Sequence, residues 1–399
     1  MQEKNISPDN FEQCLKCNLC TTVCPMMAAN PKYPGPKQAG PDGERYRLKD
    51  PHYFDLTLKY CLNRKRCEVA CPSGVKVGDI IQKARLAYGR QNNPVRDFTL
   101  ASTDLVGSLA VPFAPIVNAV VASRPVKSIM HNLIGVDSRR DFPEYSDTKF
   151  TSWFQKEAPS QEGFDKFVSY FHGCYVNYNY PQLGKDFVKI INACGYGVHL
   201  LDKERCCGVA LMSNGFGNQA RRNARANLAA FRKAGETVLT TSSTCTFTMR
   251  DEYPHVLGLD NSDVRDNILL ATKWLYDRIE AGEISLKFRK DYRKKVTYHT
   301  ACHMNKMGWA IYSIELLKMI PGVELTVPEQ QCCGISGTFG FKKENYPYSQ
   351  KIGRELFESL RVSNPEVVAC DCETCKWQIE MSTGLHVMNP ISIIAEALE

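Results

Sequence analysis

From Phe167 onward the chain alternates short apolar runs with longer segments in which apolar residues return every three or four positions. The short runs are rich in β-branched and aromatic residues and predict strands; the longer segments predict amphipathic helices. In order, Phe167–Phe171 reads as a strand, Leu183–Cys194 as a helix closed by Gly195, and Val198–Leu201 as a strand. Asn218–Ala234 then reads as a helix and Val238–Thr241 as a strand. The same order recurs in Val296–Tyr298, a helix near Ile311–Ile320, Val323–Val327, a helix near Tyr348–Val362, and Val367–Ala369. Two β-α-β-α-β units predict two parallel sheets with right-handed crossovers.

The first ninety residues follow another pattern. Val77–Tyr88 places Ile80, Ile81, Ala84 and Ala87 or Tyr88 on one face of a helix, and the end of LKDPHYFDLTLKY also reads as helical. From Leu105 to Ser123 there are 19 residues without a charge, close to the length of a membrane span. Pro112, Pro115, Ser108 and Asn118 interrupt it, which weakens a spanning helix. Two readings stay open. One is a membrane-interfacial segment, with Arg124 and Lys127 available for anionic headgroups. The other is an apolar linker packed on a domain or partner. The expected class is a multidomain α+β chain: a helical module over 1–90, a linker over 91–164, and two duplicated α/β domains over 165–290 and 291–399.

Eighteen cysteines in 399 residues sharpen this picture. The start, MQEKNISPDN, has neither an apolar run nor a cleavage-like site, so no export signal is expected and disulfides explain little. Clustered cysteines in that setting read as metal or redox ligands. The net charge of +7 is concentrated in residues 1–90, with 15 Lys/Arg against 9 Asp/Glu. Thiolate-ligated clusters are anionic, and nearby cations offset them. No interleaving of aromatic and basic residues suggests a nucleic-acid platform, so no nucleic-acid partner is expected.

Cys14, Cys17, Cys20 and Cys24, followed by Pro25, form the C-x2-C-x2-C-x3-C-P run of bacterial [4Fe-4S] ferredoxins. A second run, 36 residues later, supplies Cys61, Cys67, Cys71 and Pro72, but Arg64 stands where its second cysteine belongs. Crossed ligation assigns Cys14, Cys17, Cys20 and Cys71 to one cluster, and Cys61, Cys67 and Cys24 to another that lacks its fourth ligand. Arginine stays protonated and is a poor metal ligand. The second site is therefore a [3Fe-4S] cluster, a four-iron cluster with water or a hidden ligand, or an unstable one. Three thiolates favour a retained cluster.

The two C-terminal units share their cysteines. FHGC (Phe171–Cys174) matches YHTAC (Tyr298–Cys302), RCCG (Arg205–Gly208) matches QCCG (Gln331–Gly334), and VLTTSSTC (Val238–Cys245) matches VVACDCETC (Val367–Cys375). Each group follows a predicted strand. Carboxyl ends of parallel strands share one edge, so the distant cysteines are expected to converge. The second unit has five: Cys302, Cys332, Cys333, Cys372 and Cys375. The first has four, Cys174, Cys206, Cys207 and Cys245, with Ser242 at the fifth position. Five thiolates exceed what tetrahedral zinc needs and favour a cluster; the first site could hold zinc, a cluster or nothing. Cys370 reads as strand core and Cys194 as an inert thiol. His172, His299 and His303 flank these groups and read first as structural. The aromatic stretch Tyr175–Pro181 suits either buried packing or a quinone or partner contact.

Together these motifs resemble the CCG, or cysteine-rich, domain family, found in the B component of heterodisulfide reductase and in iron–sulfur subunits of respiratory dehydrogenases. YPGPKQAGPDGERYRLKD, FHGCYVNYNYPQLGKD, SSTCTFTMRDEYP, FGFKKENYP and DCETCKWQIEMSTGL are similar to the C-subunit family of anaerobic glycerol-3-phosphate dehydrogenases. The resemblance implies an electron-transfer subunit that serves flavoprotein subunits oxidising sn-glycerol 3-phosphate. It also implies passage of electrons to a membrane quinone such as menaquinone, and peripheral attachment at the cytoplasmic face of the inner membrane. It further implies a non-cubane four-iron cluster on the five cysteines of the second unit. No dinucleotide fingerprint or phosphate loop is present, so the chain is expected not to be catalytic alone. The competing readings are an iron–sulfur subunit of a glycolate or lactate oxidase-type complex, a heterodisulfide-reductase-like enzyme working at the CCG cluster, and a zinc-stabilised scaffold.

Overall fold

A computed structural model describes residues 10–50, 53, 56–88 and 93–399. The start read as lacking an export signal lies largely in residues 1–9, outside the described residues. Both expected parallel sheets form, each with one strand more than predicted. The first contains β1 (Phe167–Phe171), β2 (Gly197–Leu200), β3 (Val238–Thr240) and β4 (Ile268–Leu270), in spatial order β2-β1-β3-β4. The second contains β5 (Lys294–Tyr298), β6 (Val323–Thr326), β7 (Val367–Ala369) and β8 (Val387–Met388), in order β6-β5-β7-β8. All pairings are parallel, with Phe167 opposite Gly197, Ser169 opposite Val238 and Val238 opposite Ile268. Val168–Phe171 is buried at every position because helices cover both faces of the sheet.

The helices follow the apolar spacing. Pro181–Ala193 starts with proline, whose absent N–H is unneeded there, and buries Leu183, Phe187, Ile190 and Ile191. Gly217–Ala234 ends at Gly235, whose φ of 66° closes the helix in a left-handed turn. Each unit has a buried cluster of its own, and the two also share one. The C-terminal helix Pro390–Ala397 lies on Pro181–Ala193 of the first unit, where Ser392 Oγ donates to Asp186 at 2.6 Å and Lys189 Nζ to the Ala395 carbonyl at 2.7 Å. One apolar cluster therefore runs from Val168 and Phe187 to Leu316 and Ile394.

The N-terminal module is built of short helices around the helix Val77–Tyr88, which buries Ile80, Ile81 and Ala84. Its two cysteine runs share a backbone trace. Lys16 and Asn18 have φ of 57° and 65°, and Asn63 and Lys65 have 50° and 59°. Left-handed residues turn the chain tightly between ligand positions. Arg64 thus occupies a loop shaped like the one that presents Cys17.

In the linker, Thr103–Ala122 is one apolar helical stretch of 20 residues, with a 3-10 turn at Val111–Phe113 beside Pro112 and Pro115. Its small residues face inward: Gly107, Ala110 and Ala114 are buried, and a Cβ on Gly107 would meet the Tyr178 ring at 2.5 Å. Val111 is buried with them, and five large residues face outward: Leu105, Leu109, Phe113, Ile116 and Val120 form one exposed stripe. Lys127, expected to be available for headgroups, is instead paired with Asp141 at 2.7 Å.

Candidate metal centres

Cys14, Cys17, Cys20 and Cys71 line one small cavity with Lys37 and Val75. Crossed ligation places the fourth member opposite the first three, and this is the set the cavity gathers. The Val75 amide donates to Cys71 Sγ at 3.3 Å, and Lys37 stands by as a cation. Burial pushes the Cys20 thiol up, and the neighbouring Cys14, Cys71 and Cys17 thiols add to this. Four thiols gathered on one small cavity suit a cationic iron core, which needs them as thiolates.

Cys24, Cys61 and Cys67 form a second group. Burial raises the Cys67 thiol well above its ordinary range, and Glu68, Cys61 and Cys24 reinforce the shift. The Asn63 amide donates to Cys61 Sγ at 3.5 Å, and Gln82 Nε2 approaches it at 3.9 Å. Tyr33 completes the wall. It is 1% exposed, its hydroxyl has no hydrogen-bond partner among the described residues, and burial, then Cys61, Cys24 and Cys67, hold that hydroxyl well above its ordinary range. Sequence spacing carried no signal for it, because Tyr33 lies in the insertion between the runs. Arg64 does not join this group as a ligand; its guanidinium lines a larger cavity together with Cys302, Cys332 and Cys333.

That cavity, about 280 Å³, brings both CCG cysteine groups together. Cys174, Cys206, Cys207 and Cys245 open on one side of it, and Cys302, Cys332, Cys333, Cys372 and Cys375 on the other. Each group converges as the strand-end argument requires. Cys245 Sγ lies 3.5 Å from Cys207 Sγ, and Cys333 Sγ 3.2 Å from Cys375 Sγ. The Gly334 amide donates to Cys332 Sγ at 3.0 Å. Hydrogen bonds from Cys332 and Cys375 pull the Cys333 thiol down to about 6, and a bond from Cys375 does the same for Cys372. Burial pushes Cys332 up to about 12. Thiols that share protons at these separations form a compact donor set of the kind a polynuclear cluster takes.

Ser242 stands where Cys372 stands in the second unit. Both are N-caps, with φ, ψ of −112°, 117° and −135°, 114°. Ser242 Oγ donates to Glu373 at 2.9 Å and accepts from the Cys245 amide at 3.2 Å. Across the same junction, Thr244 Oγ1 lies 3.5 Å from Cys372 Sγ. The two ligand loops thus face each other. Burial, and then Cys372, raise the Glu373 carboxyl to about 8.

Two of the histidines are satisfied structurally. His172 Nδ1 lies 2.9 Å from the Gly173 carbonyl, and His303 Nε2 3.3 Å from the Asn63 carbonyl. His299 differs. It is 2% exposed, its Nε2 has no partner among the described residues, and its ring nitrogen shares a 4.8 Å neighbourhood with the sulfurs of Cys370 and Cys375. Cys370 is buried as expected, yet it lies one residue past β7 and beside the second thiol set. Tyr175 and Tyr178 of the aromatic stretch are buried and line the shared cavity.

Comparison with known proteins agrees with this arrangement. The cysteine-rich (CCG) domain family matches residues 168–250 and 296–380, and the 4Fe-4S dicluster domain family matches 10–75. The chain is 54% identical, over 98% of its length and 99% of the relative's, to the C subunit of anaerobic glycerol-3-phosphate dehydrogenase from Escherichia coli K12. It is 25% identical, over 98% of its length and 73% of the relative's, to the B component of the CoM/CoB fumarate reductase of Methanothermobacter marburgensis. Lactate utilization protein A of Bacillus velezensis is 30% identical over 51% of this chain and 87% of its own. The chain belongs to the iron–sulfur C-subunit family of anaerobic glycerol-3-phosphate dehydrogenases, in which a dicluster ferredoxin domain precedes two cysteine-rich domains.

Proposed function

We propose that this chain is the electron-transfer and membrane-anchoring subunit of an anaerobic sn-glycerol-3-phosphate dehydrogenase. It takes electrons from a flavoprotein partner and delivers them to the quinone pool, menaquinone in the first instance, at the cytoplasmic face of the inner membrane. Cys14, Cys17, Cys20 and Cys71 hold one [4Fe-4S] cluster. Cys24, Cys61 and Cys67 hold a second cluster of three protein ligands, of the [3Fe-4S] type or with a non-protein fourth ligand. The five cysteines of the second CCG domain hold a non-cubane four-iron cluster. The four of the first form a thiolate site for zinc or a cluster, which metal analysis distinguishes.

The observation that carries this reading is the continuity of the thiol groups. Cys24, Cys61 and Cys67 belong to the same buried cluster of side chains as Cys332 and Cys302, so the ferredoxin module is seated directly on the second CCG domain. Cys17 at the other end is exposed, which suits electron entry from a partner. The exposed stripe of the Thr103–Ala122 helix supports membrane attachment.

The test is anaerobic reduction of the iron-loaded chain. With the flavoprotein subunits present, sn-glycerol 3-phosphate should bleach the cluster absorption and raise the EPR signals of the reduced clusters, and a menaquinone analogue should reverse both. Clusters that stay oxidised with glycerol 3-phosphate, yet are reduced through a lactate- or glycolate-oxidising flavoprotein, would overturn the assignment of donor.

A further inference from the structure

The residue at the vacated ligand position has an unusual environment. Arg64 is 9% exposed, and all three of its guanidinium nitrogens lack a hydrogen-bond partner among the described residues. A buried guanidinium without an anion is strongly disfavoured, so its surroundings must supply one. Among the described residues no carboxylate pairs with it. Among the described residues lining the shared cavity, Glu373 is the only carboxylate, and it accepts from Ser242. The next residue, Lys65, is neutralised by its own cage of Asp79, Glu68 and Glu252. The groups that face Arg64 are thiols. Arginine keeps its charge in a folded protein, and Arg64 lines the cavity together with Cys302, Cys332 and Cys333.

Its orientation is fixed from both sides. Ser336 Oγ donates to the Leu62 carbonyl at 2.7 Å, and Arg66 Nη2 donates to the Gln330 carbonyl at 3.2 Å. Both contacts bind the 62–66 loop to the second CCG domain. The loop keeps the backbone turn of a cluster-binding loop, but its side chain is committed to a different centre.

We propose that Arg64 is a positioning residue of the second CCG centre: its unpaired guanidinium, in the cavity that Cys302, Cys332 and Cys333 line, offsets the negative charge of the cluster. This rests on the reading that the five cysteines of that domain hold a cluster. A reduced cluster carries one more negative charge than an oxidised one, so a fixed buried cation stabilises the reduced form and holds the potential up. Electrons on the ferredoxin module are thereby drawn towards the second CCG domain. The substitution that removes a ligand from one cluster supplies a counter-charge to the next.

The experiment is a potentiometric EPR titration of the full, anaerobically iron-loaded chain. The signal of the second CCG centre is first identified as the one lost in Cys333→Ser/Cys375→Ser. If that variant loses neither signal nor iron, the ligand assignment fails and Arg64 is not at issue. With the signal identified, Arg64→Gln should shift its midpoint to lower potential at unchanged iron and sulfide per chain, while Arg64→Lys restores most of the shift. An unmoved midpoint in Arg64→Gln with iron retained overturns the proposal. If Arg64→Gln instead loses iron from this centre, recovery of iron in Arg64→Lys supports the counter-charge, and no recovery overturns it.

Discussion

Ser242 shows how one atom sets the capacity of a site. Its backbone is already that of Cys372, and its hydroxyl fills the role of helix N-cap, accepting from the Cys245 amide. A thiol at this position would project from the same point of the loop, into a cavity that Ser242 lines with Cys174, Cys245 and Glu373. Ser242→Cys should therefore raise iron and sulfide per chain above wild type, by completing a second five-cysteine set. Iron analysis after anaerobic reconstitution checks this, and an unchanged content would show that Glu373, the present partner of Ser242, blocks the site. The cysteines themselves were legible in the sequence, because cluster ligation demands thiolates at short or repeated spacings. Tyr33 was not, and His299 and Cys370 were read only as a structural histidine and a core thiol. Each matters only by where the fold brings it, and a lone tyrosine in a proline-rich insertion carries no spacing signal.

At the scale of elements, β1, β3 and β7 were legible because they are short, largely apolar runs buried on both faces, and the half-exposed β2 and β6 by their place before the paired cysteines. The outer strands β4 and β8 were not. They have three and two residues, Ile268–Leu270 and Val387–Met388, and unlike the equally short β3 and β7 they are followed by no repeated cysteine group that would mark them. The Thr103–Ala122 helix was legible as apolar but not as to its faces. Small residues such as Gly107 pack it on Tyr178, which leaves five large side chains in solvent. An exposed stripe of this size is unfavourable in water and favourable at a lipid interface. Phe113→Asp/Ile116→Asp should abolish sedimentation of the chain with vesicles of inner-membrane lipid composition. The melting temperature should remain within a degree or two, because both side chains are more than 60% exposed. Retained vesicle binding would assign attachment to another surface.

The molecule as a whole depends on a junction that the sequence does not reveal. Each cysteine group could be assigned to its own unit, but the shared cavity exists only because the ferredoxin module and both CCG domains dock together. Lys65 is at that junction. Its side chain is fully buried and contacts Asp79 within the module, Glu68 at 3.5 Å, and Glu252 of the first CCG domain at 3.6 Å. Lys306 of the second CCG domain reaches Glu68 at 3.1 Å, so one network ties three domains. Such a network adds little net stability over an apolar interface, yet breaking it leaves uncompensated charge in the interior. Lys65→Met removes the central cation and leaves three carboxylates with Lys306 alone. The expected loss is about 3–5 kcal/mol, the usual cost of breaking a buried ion pair. Anaerobic denaturant titration should show it as a lower first midpoint, together with release of the module under limited proteolysis. Lys65→Arg should lose less, since it keeps the charge. If Lys65→Met unfolds like wild type, the module is held by its apolar contacts, such as Tyr60 on Tyr348 with ring centres 6.2 Å apart, and the network serves only to orient the 61–67 loop.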